Sequence, residues 1–181
     1  MDDKSMDDKA VMSGPMRLEI KRVLNGPIDR VWEYLTDGDL RKLWFCGGTT
    51  GSQPGEPIVF DFDHRRLSEQ GPPDKYADTN VVQMSGQILV YERPHKLKFT
   101  WDEMHVEGVS TVTILLKDLG EQTELHLIHE DLVPRIQPGV RAGWHAHLDL
   151  LLDLLNSTPR RDFWVHFNAL EARYEAESSA T

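Results

Sequence analysis

Val140-Arg141-Ala142-Gly143-Trp144-His145-Ala146-His147-Leu148-Asp149-Leu150-Leu151-Leu152-Asp153-Leu154-Leu155 decides the fold. Val140, Trp144, Leu148, Leu151, Leu152 and Leu155 recur at helical spacing and make one broad apolar face. Pro134 and Pro138 precede the stretch and Asn156-Ser157-Thr158-Pro159 interrupts it. Phe163, Phe167, Leu170 and Tyr174 resume the period, which predicts a second helix to about Glu177. No other segment is both helical in period and apolar over such a length, so this one has to cover whatever sheet the rest of the chain builds.

That sheet lies immediately upstream. Val81 to Tyr91, His95 to Glu103, Gly108 to Leu116 and Gln122 to Asp131 alternate in polarity and are separated by short turns, the signature of an antiparallel meander. Leu97, Phe99 and Trp101, for example, alternate with Lys98, Thr100 and Asp102. Gly55 to Asp63 is another strand, with Ile58, Phe60 and Phe62 on one face, and the polar stretch His64 to Thr79 reads as a long loop. Met16 to Leu24 is the first strand. Pro27 then opens a helix carrying Ile28, Val31, Trp32 and Leu35, and Asp39 is placed to cap a short second one over Leu40 to Phe45. The expected fold is therefore α+β. Six antiparallel strands form a curved sheet around a long C-terminal helix, two short helices follow the first strand, and an apolar pocket is enclosed.

At 181 residues the chain suits one domain with a real core. We place that domain at 15–178 and read 1–14, which contains the charged Met-Asp-Asp-Lys repeat, as a disordered tail. A net charge of −10 repels phosphate backbones and anionic lipid, so neither nucleic acid nor membrane is an expected partner. The single cysteine, Cys46, excludes an internal disulfide; with no secretory signal in the first residues and no run of 18 apolar residues, a cytoplasmic protein is expected.

Trp44, Phe60, Phe99, Trp101, Trp144 and Leu148 are expected to point at one interior, where they either pack as plain core or wall a cavity for an apolar or ring-shaped molecule. His129 is in phase with Thr123, Leu125 and Leu127 and faces the same interior, as a ligand contact, an acid/base or a histidine satisfied by its surroundings. His145, Asp149 and Asp153 share a helix face bordering the apolar stripe, and a solvated polar edge is expected there. His145 and His147 diverge on the helix, His126 and His129 take opposite faces of a strand, and no metal site is expected. Cys46 is expected as a small apolar filler. There is no P-loop, dinucleotide fingerprint or Gly-x-Ser-x-Gly elbow, and no cofactor is expected.

Five phrases follow one another along the chain: Pro27-Ile28-Asp29-Arg30-Val31-Trp32, Leu43-Trp44-Phe45, Arg93 to Trp101, Thr123 to His129, and Gly143-Trp144-His145-Ala146-His147-Leu148. In this order they resemble the START/Bet v-like (SRPBCC) superfamily, within it the branch named for the C-terminal domain of the activator of heat-shock chaperone ATPase. The resemblance implies a helix-grip fold with a ligand cavity between sheet and long helix. Three departures stand out. The co-chaperone's separate N-terminal domain cannot fit in residues 1–15, the 64–79 loop is long, and 159–177 extends the terminal helix. Three functions stay open. The first is a binding module for a small apolar or aromatic molecule. The second is an enzyme of the cyclase or hydrolase kind using His129. The third is a chaperone-associated stress-response protein acting through its surface.

Overall fold

A computed structural model describes residues 9–102 and 108–180. Its elements run β1 (Val11–Gly14), β2 (Arg17–Asn25), α1 (Ile28–Thr36), α2 (Gly38–Arg41), β3 (Pro57–Asp63), β4 (Val81–Glu92), β5 (Lys96–Trp101), β6 (Ser110–Asp118), β7 (Gln122–Glu130), α3 (Gln137–Leu155) and α4 (Phe163–Ser179). The strands form one antiparallel sheet of order β1-β2-β7-β6-β5-β4-β3, an open curved sheet gripped by the C-terminal helix. Glu103, the expected end of the fourth strand, lies outside the described residues.

Among the described residues the sheet has seven strands, not six, and the extra one comes from the segment expected as a tail. Val11–Gly14 pairs with the start of β2, and Ala10 ahead of it is fully buried. The Ala10 amide donates to the Tyr174 hydroxyl at 3.1 Å, and the Arg141 guanidinium donates to its carbonyl at 2.9 Å. Residues 10–14 thus belong to the domain; of the expected tail, 1–8 lies outside the described residues. Removing residues 1–14 takes away these bonds and the strand, and should lower the melting temperature by about 5 °C, a loss of about 2 kcal/mol in a domain this size. Calorimetry checks this, and an unchanged melting temperature contradicts it.

Period decides the rest. Leu18, Ile20 and Leu24 on β2, Leu125 and Leu127 on β7, and Val112 and Ile114 on β6 turn to one face, against which α3 buries Trp144, Leu148 and Leu151. Asp37, rather than Asp39, caps α2, accepting from the amides of Asp39 and Leu40 at 2.8 and 3.1 Å, so α2 starts earlier and is shorter than expected. Asp162 caps α4 and also takes the Glu69 amide at 2.7 Å, while the Phe163 amide donates to the Leu67 carbonyl. The long 64–79 connection is thereby anchored to α4, where its two 3-10 turns, His64–Arg66 and Asp74–Thr79, pack.

Candidate ligand-binding site

The middle of the interior is filled. The rings of Phe45 and Trp144 stack at 5.0 Å, Trp101 lies 5.4 Å from Trp144, and Phe60 lies 5.1 Å from Trp101. Space opens beyond these rings, toward the first turns of α3. A cavity of about 410 Å³ lies between α3, α4, the inner ends of β3 and β5, and the 3-10 turn Asp74–Thr79. Of the seven expected residues, Trp101 and Trp144 line it; Trp44, Phe60, Phe99, His129 and Leu148 do not.

The cavity has an aromatic floor and a charged rim. Phe45, Phe62, Trp101, Trp144, Phe163 and Phe167 supply rings, and all are buried. At the rim Tyr76 stacks on Trp164 at 5.9 Å and its hydroxyl donates to Glu171. Lys75 bridges Glu171 at 2.9 Å and Glu175 at 3.3 Å. Gly139, in the first turn of α3, leaves room for this closure, because a Cβ there would sit 2.6 Å from the Tyr76 hydroxyl. Gly143, one turn on, is looser, and its Cβ would meet only the Phe167 ring at 3.9 Å.

Two imidazoles are the polar feature of the deep wall. His64 and His147 are both buried, both line the cavity, and their Nε2 atoms face each other at 3.4 Å. The Nδ1 atom of His147 lies 2.8 Å from the Trp44 carbonyl, and that of His64 lies 3.3 Å from the Asn80 carbonyl. Phe163 stacks on both rings, at 4.6 and 4.4 Å. Burial pushes the His64 pKa down to about 4 and that of His147 well below the ordinary value, the neighbouring His64 adding to the second shift.

His129 is fully buried and both its nitrogens are engaged. The Trp144 indole N–H donates to Nδ1 at 3.1 Å, which leaves the proton on Nε2. Nε2–H donates to the Ser110 hydroxyl at 2.7 Å, and that hydroxyl donates to the Trp101 carbonyl at 3.1 Å. Burial lowers its pKa to about 4. An imidazole so placed orients Trp101 and Trp144 and has no free nitrogen for acid/base work.

The polar edge of α3 is not solvated. α4 covers it, and β2 turns Arg22 inward against it. Asp149 Oδ1 accepts from Arg22 at 3.0 Å; Oδ2 accepts from His166 at 2.8 Å, Arg161 at 3.2 Å and His145 at 3.3 Å. The Tyr174 hydroxyl, 2.6 Å from His145 Nδ1, holds that ring in place. Burial alone would raise the Asp149 carboxyl, but hydrogen bonds from His145 and His166 and the Arg22 charge outweigh it and hold it far below the usual carboxylate range. His145, Asp149 and His166 have the composition of a metal triad, yet two guanidinium groups already occupy the carboxylate.

Two other features complete the picture. A larger groove of about 670 Å³ lies between α2 and β3, but its acids are occupied, Asp37 as a cap and Asp63 in a pair with Arg65 at 2.7 Å. Cys46 is buried and its thiol is pushed up to about 12 by burial, so it is inert. Beside it Arg41, also buried, donates to the carbonyls of Cys46, Gly47 and Val59, tying the loop after α2 to β3.

The site residues that sequence reasoning missed include Phe45, His64, Tyr76, His147, Phe163 and Glu171. His64 did carry a signal, since it continues the inward phase of Ile58, Phe60 and Phe62. Tyr76 and Glu171 carried none, being polar residues of a loop and a helix flank that only the tertiary fold brings together.

Comparison with known proteins agrees with this architecture. The protein encoded by gene BPP1335 from Bordetella parapertussis, a solution NMR structure, superposes with a TM-score of 0.78 at 32% identity, covering 95% of this chain and 92% of that one. CalU16 from Micromonospora echinospora (TM-score 0.66, 22% identity, 93% and 92% covered) and the conserved protein EF2215 from Enterococcus faecalis (0.68, 18%, 97% and 92%) share the fold. No curated protein matches the chain. The family model for activator of Hsp90 ATPase homolog 1-like proteins matches residues 25–156, and with the helix-grip architecture this shows that the chain belongs to that family, a branch of the SRPBCC superfamily.

Proposed function

We propose that the protein binds one small apolar or aromatic molecule, without covalent chemistry, in the cavity between α3, α4 and the sheet. The observation that carries this is the aromatic-walled space of about 410 Å³, which falls in the size range of small-molecule sites and is bordered by a rim of polar contacts. Trp101 and Trp144 are the expected residues that contact the ligand. His129 supports them from behind. The single cysteine and the acidic surface fit a cytoplasmic protein.

An anilinonaphthalene sulfonate dye tests the site. It should bind native protein and quench tryptophan emission. Gly143→Met projects a long apolar side chain into the cavity from a helix position that tolerates a Cβ, and should weaken the dye by about tenfold or more without lowering the melting temperature. Undiminished binding in a folded Gly143→Met variant would place the dye elsewhere and remove the proposal. Family membership supports a second reading, contact with an Hsp90-type chaperone through the protein surface. A change in Hsp90 ATPase rate that persists in the Gly143→Met variant would favour it.

A further inference from the structure

We infer that the molecule held in this cavity carries an uncharged hydrogen-bond donor, a hydroxyl at its buried end, which the His64–His147 pair accepts. The inference rests on the cavity assignment above and narrows it to a class of ligand.

The basis is a proton count. Three hydrogen-bonding contacts compete for the protons of the two imidazoles, His147 Nδ1 with the Trp44 carbonyl at 2.8 Å, His64 Nδ1 with the Asn80 carbonyl at 3.3 Å, and Nε2 with Nε2 at 3.4 Å, and the Thr79 backbone adds a further acceptor near His64. Each of the three contacts sets two lone-pair-bearing atoms face to face and needs one proton between them. Two neutral imidazoles carry two protons, and burial keeps both rings neutral. One contact is therefore always a proton short.

The 2.8 Å contact fixes a proton on His147 Nδ1 and leaves His147 Nε2 a bare acceptor. The remaining proton divides between the two nitrogens of His64. On Nδ1 it serves the Asn80 carbonyl and leaves two bare Nε2 atoms opposed. On Nε2 it makes a bond of only 3.4 Å and leaves Nδ1 against the Asn80 carbonyl, which already accepts the His64 amide at 2.9 Å. With both Nδ1 atoms protonated, a hydroxyl arriving from the cavity donates its proton to a bare Nε2 atom or shares it between the two, and the pair gains the donor it lacks.

Competing occupants fit less well. The surrounding wall is rings, and the indole N–H groups of Trp144 and Trp164 are spent on His129 and Asn80 at 3.1 Å each. An ammonium group would be buried among rings without a free carboxylate, since Glu171 already holds Lys75 and Tyr76. A metal ion would find two imidazole nitrogens, and among the described residues no third histidine, cysteine or carboxylate joins them.

The test compares 1-naphthol with 1-methoxynaphthalene, of similar shape but without the donor, by calorimetric titration of the full chain. Naphthol should bind about tenfold more tightly, the range of one well-made hydrogen bond to an otherwise unsatisfied buried acceptor. His64→Phe and His147→Phe should each bring the ratio close to one while the ether still binds. In wild-type protein labelled with ¹⁵N-histidine, the Nε2 resonances should move with naphthol and stay with the ether, a readout that needs no variant. Equal affinity of the two probes, unmoved Nε2 resonances, or a ratio preserved in both variants overturns the inference and leaves the cavity standing. Failure of both probes to bind overturns the cavity assignment together with it.

Discussion

Acidification from about pH 7.5 to about pH 5 is expected to remove on the order of 4 kcal/mol of stability. His129 and His64 are buried neutral, with pKa values pushed down to about 4, whereas in the unfolded chain they return to the ordinary histidine value near 6.5. Between those limits the unfolded state binds protons that the folded state refuses. Their contribution is complete above the unfolded value and is lost as pH falls toward the folded one. About 1.5 pH units below 6.5, each histidine costs about 2 kcal/mol. His147 shifts in the same direction and adds to the loss. The depressed carboxyls do not enter this window: Glu19, held at about 2 by the Ser13 hydroxyl and by Arg17 and His126, and Asp149 lose their contributions only in stronger acid. Guanidinium unfolding at the two pH values measures the difference. His129→Asn should flatten the profile by one histidine's share, and a wild-type profile flat over this range would mean the three rings are not buried neutral.

Asp149→Ala is expected to cost about 3–5 kcal/mol, because it removes the carboxylate of a buried ion pair rather than merely deleting a contact. The Arg22 side chain is 2% exposed, and Asp149 accepts from it at 3.0 Å on the inward face of β2. The variant would also release His145 and His166 from their shared acceptor. If the penalty is the loss of this carboxylate from the buried pair, removing both charges should recover much of it. The double variant Arg22→Met with Asp149→Leu should then be more stable than Asp149→Ala alone. A double-mutant cycle by chemical denaturation reports the coupling, and a single-variant cost below about 1 kcal/mol would show that Arg22 finds water instead.

What the sequence made legible was whatever depends on local period. The α3 stripe from Val140 to Leu155, the alternation of Leu97, Phe99 and Trp101, and the meander from β4 to β7 all follow from spacing alone. Contacts that depend on distant chain were less visible. Val11–Gly14 is too short to show a strand pattern, and it is a strand because the start of β2 offers an edge and because Tyr174 and Arg141 hold Ala10. The polar edge of α3 resembled a solvated face until α4 covered it. The one local hint was Arg22, a charge standing in the inward phase of Leu18, Ile20 and Leu24. The cavity lies to one side of its expected centre because Phe45, left out of the expected wall, fills that centre by stacking on Trp144.

The strand order has a consequence for how the chain is made. β3 through β7 are neighbours in both sequence and space, so each can pair with its predecessor as it leaves the ribosome. β2 is different. Its partner is β7, with Arg17 opposite Glu130 and Asn25 opposite Gln122, and Arg22 meets its counter-charge only when α3 follows. During synthesis β2 therefore emerges with only the short β1 beside it and waits for β7 through roughly a hundred residues, and closing that loop carries the entropic cost of non-local pairing. Its solvent-side residues Arg17, Glu19 and Lys21 keep the waiting strand charged at alternate positions, a composition that discourages pairing with a neighbouring nascent chain until its own last strand arrives.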